Sequence, residues 1–220
     1  MKKWSKLPDS IKKESIHSYY LVLKKKWMYR FFKRFFDIVA SFSLIIILFL
    51  PSLLIGIIIS CESKGGPFFV QRRIGKNYKS FNIIKFRSMK ACSEKNEHIT
   101  HKNDARVTKF GKIIRRTHID EFPQLLNVFV GQMSFVGTRP EVPFYVEQYK
   151  DEWKATLLMR PGITSTASYT YQDEAKDIEK ENSSDTYISA ILPKKMEANL
   201  NDILHVGIIR DLIIMFKTIF

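Results

Sequence analysis

The feature that most constrains this chain is an apolar run from Ile38 to Cys61 that contains no charged residue. A stretch of about 20 apolar residues is long enough to cross the hydrocarbon core of a bilayer. The run begins too late for a cleavable signal peptide, and no small-residue cleavage site precedes a soluble mature chain. A buried core helix is the alternative interpretation. Because uncharged runs of this length are rare in soluble domains, we expect the segment to insert into a membrane.

Pro51 divides the run into two short halves. A proline inside a helix removes a backbone hydrogen bond and clashes with the carbonyl group four residues earlier. As helices, Ile38–Leu50 and Ser52–Cys61 would be about 20 Å and about 15 Å long, and both are shorter than the hydrocarbon core of about 30 Å. The sequence therefore predicts a helix broken at Pro51.

Basic residues flank the run on both sides, which gives a single span little orientation. They are Lys24, Lys25, Lys26, Arg30, Lys33 and Arg34 before the run, and Lys64, Arg72, Arg73, Lys76 and Lys79 after it. A hairpin that enters and leaves on the cytoplasmic face satisfies both flanks. We therefore expect a re-entrant membrane helix rather than a span.

Two further segments are predicted to contact the membrane surface. Lys24–Phe36 interleaves basic and aromatic residues, which is typical of an interfacial helix on anionic lipid, although the same mixture could stack on nucleic-acid bases. Ile203–Phe220 carries an apolar stripe that fits an amphipathic helix, either packed on the domain or lying on the membrane. We divide the chain into an interfacial segment (1–37), a membrane helix (38–61) and a cytosolic domain (62–220).

The net charge of the chain points to an anionic partner. Lys and Arg number 36 against 22 Asp and Glu, so the formal net charge is +14. Nucleic acid, a phosphate-bearing substrate and a negatively charged membrane surface all fit this charge. Hydrophobic residues at 45% and aromatic residues at 13% exclude a disordered basic tail. Cys61 and Cys92 lie far apart, so neither a disulfide scaffold nor a zinc finger is indicated.

The cytosolic segment is predicted to be a small, helix-rich α/β domain. Phe68–Arg72 and Phe81–Phe86 read as two strands of a hairpin, with Gly75–Asn77 in the connection. Val107–Thr117 is compatible with a helix, and apolar residues recur at helical spacing from Phe122 onward.

Asp120 and Glu121 are the candidates for catalysis. They stand just before the second of these helices, where acidic residues commonly cap free amides and complement the helix dipole, so a purely structural role is the simpler interpretation. A carboxylate in a basic cleft can instead keep a low pKa and act as a nucleophile or hold a divalent ion. Cationic groups in such a cleft would bind phosphoryl oxygens. The basic candidates are Lys85, Arg87, Arg115, Arg116, Arg139 and Arg160.

Other short patterns are ambiguous. Arg139 and Arg160 lie in the turns Gly-Thr-Arg-Pro and Arg-Pro-Gly, which need no function as turns but would present a bidentate donor if they bind phosphate. Glu97, His98 and His101 could be read as a metal cluster, but without further ligands surface histidines are the simpler interpretation.

Three motifs follow the Pro-broken segment in one order: FFVQRRIGKNYKSFNIIKFRSM, DARVTKFGKIIRRTHIDEFPQLLNVFVGQMSFVGTRP and RPGIT. Together they resemble the bacterial sugar transferases, the monotopic polyprenyl-phosphate phosphoglycosyl transferases, over residues 34–164. The resemblance implies a re-entrant membrane helix, a cytosolic α/β catalytic region on amphipathic helices, and Mg²⁺. It also implies transfer of a sugar 1-phosphate from a UDP-sugar to undecaprenyl phosphate, with release of UMP.

The same resemblance assigns roles to individual residues. Asp120 would be the nucleophile that forms a phosphosugar intermediate, and Glu121 would assist metal and proton handling, so both would hold Mg²⁺. Lys85, Arg115 and Arg139 match basic positions that would serve phosphates, and Arg160 opens the RPGIT motif with the same expected role.

The chain also departs from the family pattern. Thr138 stands where many members have proline, Ser165 where many have glycine, and Leu50 where a small residue often precedes Pro51. Thr166–Asp173 lacks the tryptophan and the later Gly-Arg turn that often follow RPGIT. These departures bear on sugar recognition, because the Asp-Glu dyad is intact.

We therefore expect an enzyme that starts a surface-polysaccharide or glycoconjugate pathway on the cytoplasmic face of the inner membrane. Its partners would be a UDP-sugar, polyprenyl phosphate and anionic lipids, and not nucleic acid. The alternative is a non-catalytic, membrane-tethered module that binds anionic lipid or nucleic acid and has no need of Asp120. The sequence names neither the sugar nor the pathway, and it leaves open whether the protein is a homodimer.

Overall fold

The computed structural model of the chain describes residues 1–90, 106–171 and 183–219. Cys92 and the three residues weighed as metal ligands, Glu97, His98 and His101, lie outside these ranges.

The described residues form a helix-rich α/β structure, as predicted, with two small sheets, of which only the hairpin was predicted. The helices are α1 (Glu14–Lys25), α2 (Trp27–Ile47), α3 (Phe49–Glu62), α4 (Lys109–Arg116), α5 (Gln124–Phe129), α6 (Pro143–Glu147), α7 (Thr166–Thr170), α8 (Ser183–Thr186), α9 (Leu192–Leu204) and α10 (Ile208–Ile219). The strands are β1 (Phe68–Ile74), β2 (Ser80–Phe86), β3 (Ser134–Val136) and β4 (Gly162–Thr164). Short 3-10 helices occupy Trp4–Lys6, Lys76–Tyr78, Ile119–Glu121 and Glu152–Leu158, and a π-helical turn occupies Tyr187–Ile191.

Helices α2 and α3 meet at an angle of 61°. The break lies at Leu48, three residues before Pro51. Pro51 has no N–H to donate to the carbonyl group of Ile47, and its ring clashes with that carbonyl, so α2 ends at Ile47. The predicted break is confirmed and falls one helical turn upstream of the proline. Among the described residues no single helix is long and apolar enough to cross a membrane. The two helices of the bent pair, taken together, have the required length and apolar composition.

Most large apolar side chains around the bend of the helix pair are not covered by the described parts of this chain. Ile46, Ile47, Phe49, Leu50, Leu53, Leu54, Ile57 and Ile58 are all exposed. The alternative of a buried core helix is therefore wrong for this segment. Helix α2 also runs without interruption through residue 37, so the basic aromatic segment and the first half of the apolar run are one helix.

Helix α2 is attached to the domain by polar side chains. The Arg34 guanidinium donates to the carbonyl oxygens of Val128 and Phe129 at 2.7 and 2.8 Å. The buried Asp37 carboxylate accepts hydrogen bonds from the Ser134 hydroxyl at 3.0 Å and from the next backbone N–H at 3.2 Å. A buried charge is stable only when it is paired or hydrogen-bonded, so these contacts fix where α2 lies on α5 and β3.

The far end of the bent pair is attached to the same domain. Glu62, the last residue of α3, accepts a hydrogen bond from the Phe110 backbone N–H at 3.0 Å. Ile59 is buried against Phe86 of β2 and Ile114 of α4. Both ends of the helix pair therefore rest on one folded body.

Strands β1 and β2 form the predicted antiparallel hairpin, with Phe68 opposite Phe86 and Ile74 opposite Ser80. Strand β1 is two residues longer than predicted. The connection is the 3-10 turn Lys76–Tyr78, in which Asn77 and Tyr78 adopt φ angles of 56° and 62°. Asparagine is among the residues that tolerate this left-handed region, which explains its place in the turn.

Strands β3 and β4 form a two-stranded parallel sheet that holds two predicted turns side by side. Ser134 pairs with Gly162, and Val136 pairs with Thr164. A Cβ atom on Gly162 would lie 2.1 Å from the backbone nitrogen of Gly137. Glycine is therefore required here because the two backbones approach more closely than a side chain allows.

The C-terminal helix α10 presents its apolar stripe outward. The stripe residues Ile208, Ile209, Leu212, Ile213 and Phe216 are exposed, which excludes the packed alternative for this face. The opposite face is fixed by Asp211, whose carboxylate accepts hydrogen bonds from the Lys33 ammonium at 2.7 Å and the Tyr29 hydroxyl at 2.9 Å on α2. The predicted amphipathic helix is confirmed from Ile208 onward, whereas Ile203 belongs to α9, which ends at Leu204.

We expect Gly162→Ala to destabilise the protein by about 3 kcal/mol, because the new methyl group must push apart the backbones of β4 and Gly137. Thermal unfolding of the detergent-solubilised protein measures this. Gly66→Ala is the matched control, since a Cβ atom there meets nothing within 4 Å. Equal melting temperatures for both variants would contradict the close approach of the two turns.

Candidate active site

Asp120 and Glu121 lie in the 3-10 turn Ile119–Glu121, between α4 and α5, and both are buried. Helix α4 ends at Arg116, and His118, two residues later, adopts a left-handed conformation with φ of 55° that changes the direction of the chain. Helix α5 begins only at Gln124, and no side chain caps its first turn. The prediction that the two acids cap an α-helix is therefore wrong. Pro123 explains the difference, since the helix begins after it and the acids are left in the tighter turn before it.

Glu121 is held between two cations. Its Oε1 atom accepts hydrogen bonds from the Lys85 ammonium at 2.8 Å and from the Arg139 guanidinium at 2.6 Å. Burial alone would raise the pKa of Glu121, but the two cations outweigh it and hold the pKa well below its usual range. Glu121 is therefore a fixed negative charge whose role is to position Lys85 and Arg139.

Asp120 has a different environment from its neighbour. Its carboxylate accepts no hydrogen bond from the described residues, and burial raises its pKa, with the nearby Glu121 charge acting in the same direction. Lys85 and Arg115 oppose the shift but do not cancel it. The expectation of a low pKa at Asp120 is therefore wrong, because burial outweighs the basic residues around the carboxylate. An under-solvated, weakly partnered carboxylate is a better nucleophile once it is ionised.

The basic residues of the site come from three separate elements. Lys85 is next to last in β2, opposite Phe69, and burial followed by the Arg139 charge lowers the pKa of its ammonium. Arg139 follows β3, with 43% of its side chain exposed, so its guanidinium reaches the surface. Arg115 lies half-buried in the last turn of α4, where its charge acts on Asp120.

The remaining cations that the sequence singles out are not brought to the dyad. Arg160 donates from Nε to the Gly131 carbonyl oxygen at 2.8 Å and lines a different pocket. Arg87 donates to the Lys64 carbonyl oxygen at 3.2 Å, on the surface. Arg116 is exposed.

Two positioning residues were missed by sequence reasoning. Arg73 donates to the Pro140 carbonyl oxygen at 3.0 Å and forms an ion pair with Glu141 at 3.6 Å, so it ties β1 to the segment that carries Arg139. Asn127 of α5 accepts from the Ile84 backbone N–H at 3.1 Å, which fixes the open edge of β2 beside Lys85. Arg73 was named only as a flanking charge, and Asn127 has no local pattern that distinguishes it.

The dyad fits a hydrated divalent ion that also contacts substrate. The described residues contain no group of three or more His, Cys, Asp or Glu side chains able to form a metal cage. Mg²⁺ is commonly held by one or two carboxylates together with water and phosphate oxygens. Both oxygens of Asp120 and the second oxygen of Glu121 accept no hydrogen bond from the described residues, so they are available for that kind of binding.

Comparison with known proteins identifies the family. The model of the bacterial sugar transferases matches residues 28–220, so the chain belongs to that family. An Aeromonas hydrophila protein named UDP-N-acetylgalactosamine-undecaprenyl-phosphate N-acetylgalactosaminephosphotransferase is 37% identical over 199 residues, 87% of this chain and 44% of its own length. A Klebsiella pneumoniae UDP-glucose:undecaprenyl-phosphate glucose-1-phosphate transferase is 40% identical over 195 residues, 86% of this chain and 39% of its own length.

A shorter relative shows the same similarity over most of its length. An exopolysaccharide production protein of Rhizobium leguminosarum bv. phaseoli is 41% identical over 143 residues, 61% of this chain and 72% of the relative. The chain spans less than half the length of the first two relatives.

We expect Glu121→Gln to destabilise the protein by about 3 kcal/mol at neutral pH, because it leaves Lys85 buried without a counter-charge. The pKa of Glu121 is lower in the folded protein than its usual value of 4.5, so its contribution is complete above about pH 4.5 and is lost as the pH falls below that value. The difference in melting temperature between wild type and variant should therefore shrink on acidification. The exposed Glu147→Gln is the control. An unchanged melting temperature at pH 7 for Glu121→Gln would show that the pair does not form.

Proposed function

We propose that the protein transfers a sugar 1-phosphate from a UDP-sugar to undecaprenyl or another polyprenyl phosphate, with release of UMP, as the first membrane step of polysaccharide or glycoconjugate synthesis. The observation that carries the proposal is the unequal pair at Asp120–Glu121. One buried carboxylate is held between two cations, and the other accepts no hydrogen bond from the part of the chain that the structure describes. The names of two relatives, both undecaprenyl-phosphate sugar-phosphate transferases, support the same reaction.

In the proposed mechanism Asp120 attacks the phosphorus that bears the sugar. A bond forms between an Asp120 carboxylate oxygen and that phosphorus, the pyrophosphate P–O bond breaks, and UMP leaves with the bonding electrons. An oxygen of polyprenyl phosphate then attacks the same phosphorus and releases Asp120 as a carboxylate. Two displacements replace one, and each has an intramolecular or bound nucleophile.

The cations of the site make that attack possible. A carboxylate and a pyrophosphate repel each other at close range, and the repulsion is stronger in a partly buried site than in water. Glu121 accepts one hydrogen bond from the Lys85 ammonium and one from the Arg139 guanidinium, which holds both cations in place. Arg139 is positioned to bind phosphoryl oxygens because its side chain is partly exposed and its guanidinium is held by the ion pair with Glu121.

Mg²⁺ is part of the proposal. Asp120 and Glu121 would hold it through the oxygens that accept no hydrogen bond from the described residues. A bound divalent ion would neutralise charge on the phosphates and orient the leaving group. Glu121 would keep one oxygen on Lys85 and Arg139 throughout.

The proposed topology is a re-entrant membrane helix, with the catalytic domain on the cytoplasmic face of the inner membrane. Arg34 near the start of the bent pair and Glu62 at its end both contact the same domain. A bilayer cannot pass between two ends that rest on one body, so the contacts favour re-entry over a span. The exposed apolar stripe of α10 and the exposed aromatic residues of α2 would lie at the surface of the same leaflet, among anionic lipids.

The alternative function is a non-catalytic tether that binds anionic lipid or nucleic acid. Exposed apolar helices and a net positive charge serve that function equally well. It gives no reason to bury Asp120 without a hydrogen bond beside a second carboxylate, which costs folding free energy. The dyad therefore favours the enzyme.

Asp120→Asn should lower turnover at least about a thousandfold, because it keeps the shape of the side chain and removes the nucleophile. The purified protein is incubated with UDP-sugars, Mg²⁺ and polyprenyl phosphate while UMP is measured. Intact-protein mass spectrometry without the lipid acceptor should show a sugar-phosphate adduct on the wild type and none on the variant. The exposed Asp151→Asn is the matched control and should keep both signals.

Turnover at the wild-type rate in Asp120→Asn would refute the catalytic assignment and favour the tether.

Excess EDTA should abolish UMP release and added Mg²⁺ should restore it. Full activity in EDTA would refute the proposed Mg²⁺ requirement but would not contradict the role of Asp120 as the nucleophile.

The re-entrant topology predicts that both flanks of the bent pair react from one side. In a background without Cys61 and Cys92, Lys26→Cys and Lys79→Cys should both be labelled by a membrane-impermeant maleimide only from the cytoplasmic side of inside-out vesicles. Both residues are exposed, so each should react readily. Labelling of the two positions from opposite sides would establish a span.

A further inference from the structure

A second basic site lies away from the dyad, in a pocket of about 360 Å³ between α2, the hairpin turn and the segment before β4. Five basic side chains line it, against one acidic side chain, Asp37. The basic residues are Arg30, Lys33, Arg34, Lys76 and Arg160. Five residues of β2 separate the hairpin turn from Lys85, which corresponds to about 17 Å along the strand, so the pocket is distinct from the dyad.

The acidic partners in and around the pocket are already engaged. Asp37 accepts hydrogen bonds from the Ser134 hydroxyl and from the start of β3. Lys33 is paired with Asp211 at 2.7 Å. Arg34 donates to backbone carbonyl oxygens of α5, which are neutral acceptors.

Three cations of the pocket are left without a counter-charge among the described residues. The buried Nε atom of Arg30 has no hydrogen-bond partner. The Lys76 ammonium makes no hydrogen bond or ion pair, and its pKa is lowered to about 8 by burial and by the charges of Arg160 and Arg30. Arg160 uses Nε on the Gly131 carbonyl oxygen, and its two terminal nitrogens have no partner.

Such an arrangement destabilises the protein unless an anion completes it. Like charges that converge on a partly desolvated pocket repel one another, and an unpaired buried donor adds a further penalty. Asp37, the acidic side chain of the pocket, is hydrogen-bonded to Ser134 and to the β3 backbone and forms no ion pair with any of the three cations. Guanidinium and ammonium donors that converge from three elements are instead the arrangement that binds phosphate oxygens.

The rim of the pocket indicates what the phosphate is attached to. Trp27 and Phe31 line the pocket from α2 and are 63% and 64% exposed. Aromatic rings beside basic residues are typical of the lipid headgroup region. The rim continues along α2 into the exposed apolar surface that the proposed topology inserts into the bilayer.

We propose that this pocket binds the phosphate group of a membrane lipid, with Arg30, Lys76 and Arg160 as its ligands. The site would fix the hairpin turn and the Arg-Pro-Gly turn to α2 at headgroup depth. It requires no sugar transfer, so it goes beyond the proposed function. A bulk phospholipid and a polyprenyl phosphate carry the same group, and the experiment below distinguishes them.

The test measures protection of Lys76 from acetylation, with rates resolved by mass spectrometry, on the full chain in nanodiscs. The discs contain phosphatidylcholine alone, or with phosphatidic acid, or with polyprenyl phosphate, and a further sample has phosphatidylcholine discs with inorganic phosphate. Lys79, exposed and outside the pocket, is the internal control, because the ratio of the two rates cancels general effects of surface charge. A phosphate lipid at saturating content should lower the Lys76/Lys79 rate ratio about tenfold.

Substitutions distinguish binding by specific side chains of the pocket from general electrostatic attraction to a charged membrane. Arg30→Gln should weaken the protection about tenfold, since it removes a charge-assisted contact. Lys24→Gln, on the exposed surface of α1, is the matched control and should leave it unchanged. Asp120→Asn should also keep full protection, so loss of the proposed catalysis and loss of this site are distinguishable.

Protection by both lipids identifies a general phospholipid site, and protection by polyprenyl phosphate alone identifies the carrier lipid as the occupant. Either result supports the proposal. An unchanged rate ratio in both lipids, equal protection by inorganic phosphate, or undiminished protection in Arg30→Gln would overturn it.

Discussion

The ion pair of Glu121 with Lys85 and Arg139 is the interaction on which the site depends. It joins three elements that are distant in sequence: the end of the hairpin, the 3-10 turn after α4 and the turn after β3. A buried pair of this kind contributes little net stability but imposes a large penalty when one member is lost. Its effect is therefore to specify one arrangement, in which Asp120 is left beside the cations without being bound by them.

The same logic recurs where the apolar helices meet the domain. Asp37 and Asp211 are acids on or against α2, and each is satisfied by a defined set of donors from another element. Exposed apolar side chains give a helix no preferred orientation on a domain, whereas a buried acid has only one position in which its donors are present. These two carboxylates therefore set which face of α2 points outward.

Local sequence patterns predicted the parts of the fold that depend on interactions between residues close in sequence. Pro51 predicts the helix break, because its effect is exerted on a residue four positions away, and alternation predicts the hairpin. The pKa of Asp120 was misjudged because burial raises it by more than the charge of Lys85, 35 positions earlier in the chain, lowers it, and local sequence does not show that burial. Arg160 was grouped with the dyad for its charge and its place in the Arg-Pro-Gly turn, whereas the structure places it in the lining of another pocket, next to β4.

The attachment of both ends of the bent helix pair to one body has a mechanical consequence in the proposed topology. A helix held at one end can tilt or slide to match the thickness of the bilayer. A bent helix pair held at both ends moves only together with the domain. The depth of the bent pair in the membrane and the height of Asp120 above the leaflet then change together. Such an enzyme would gauge how far a phosphate protrudes from the membrane and be indifferent to the length of the hydrocarbon tail beneath it.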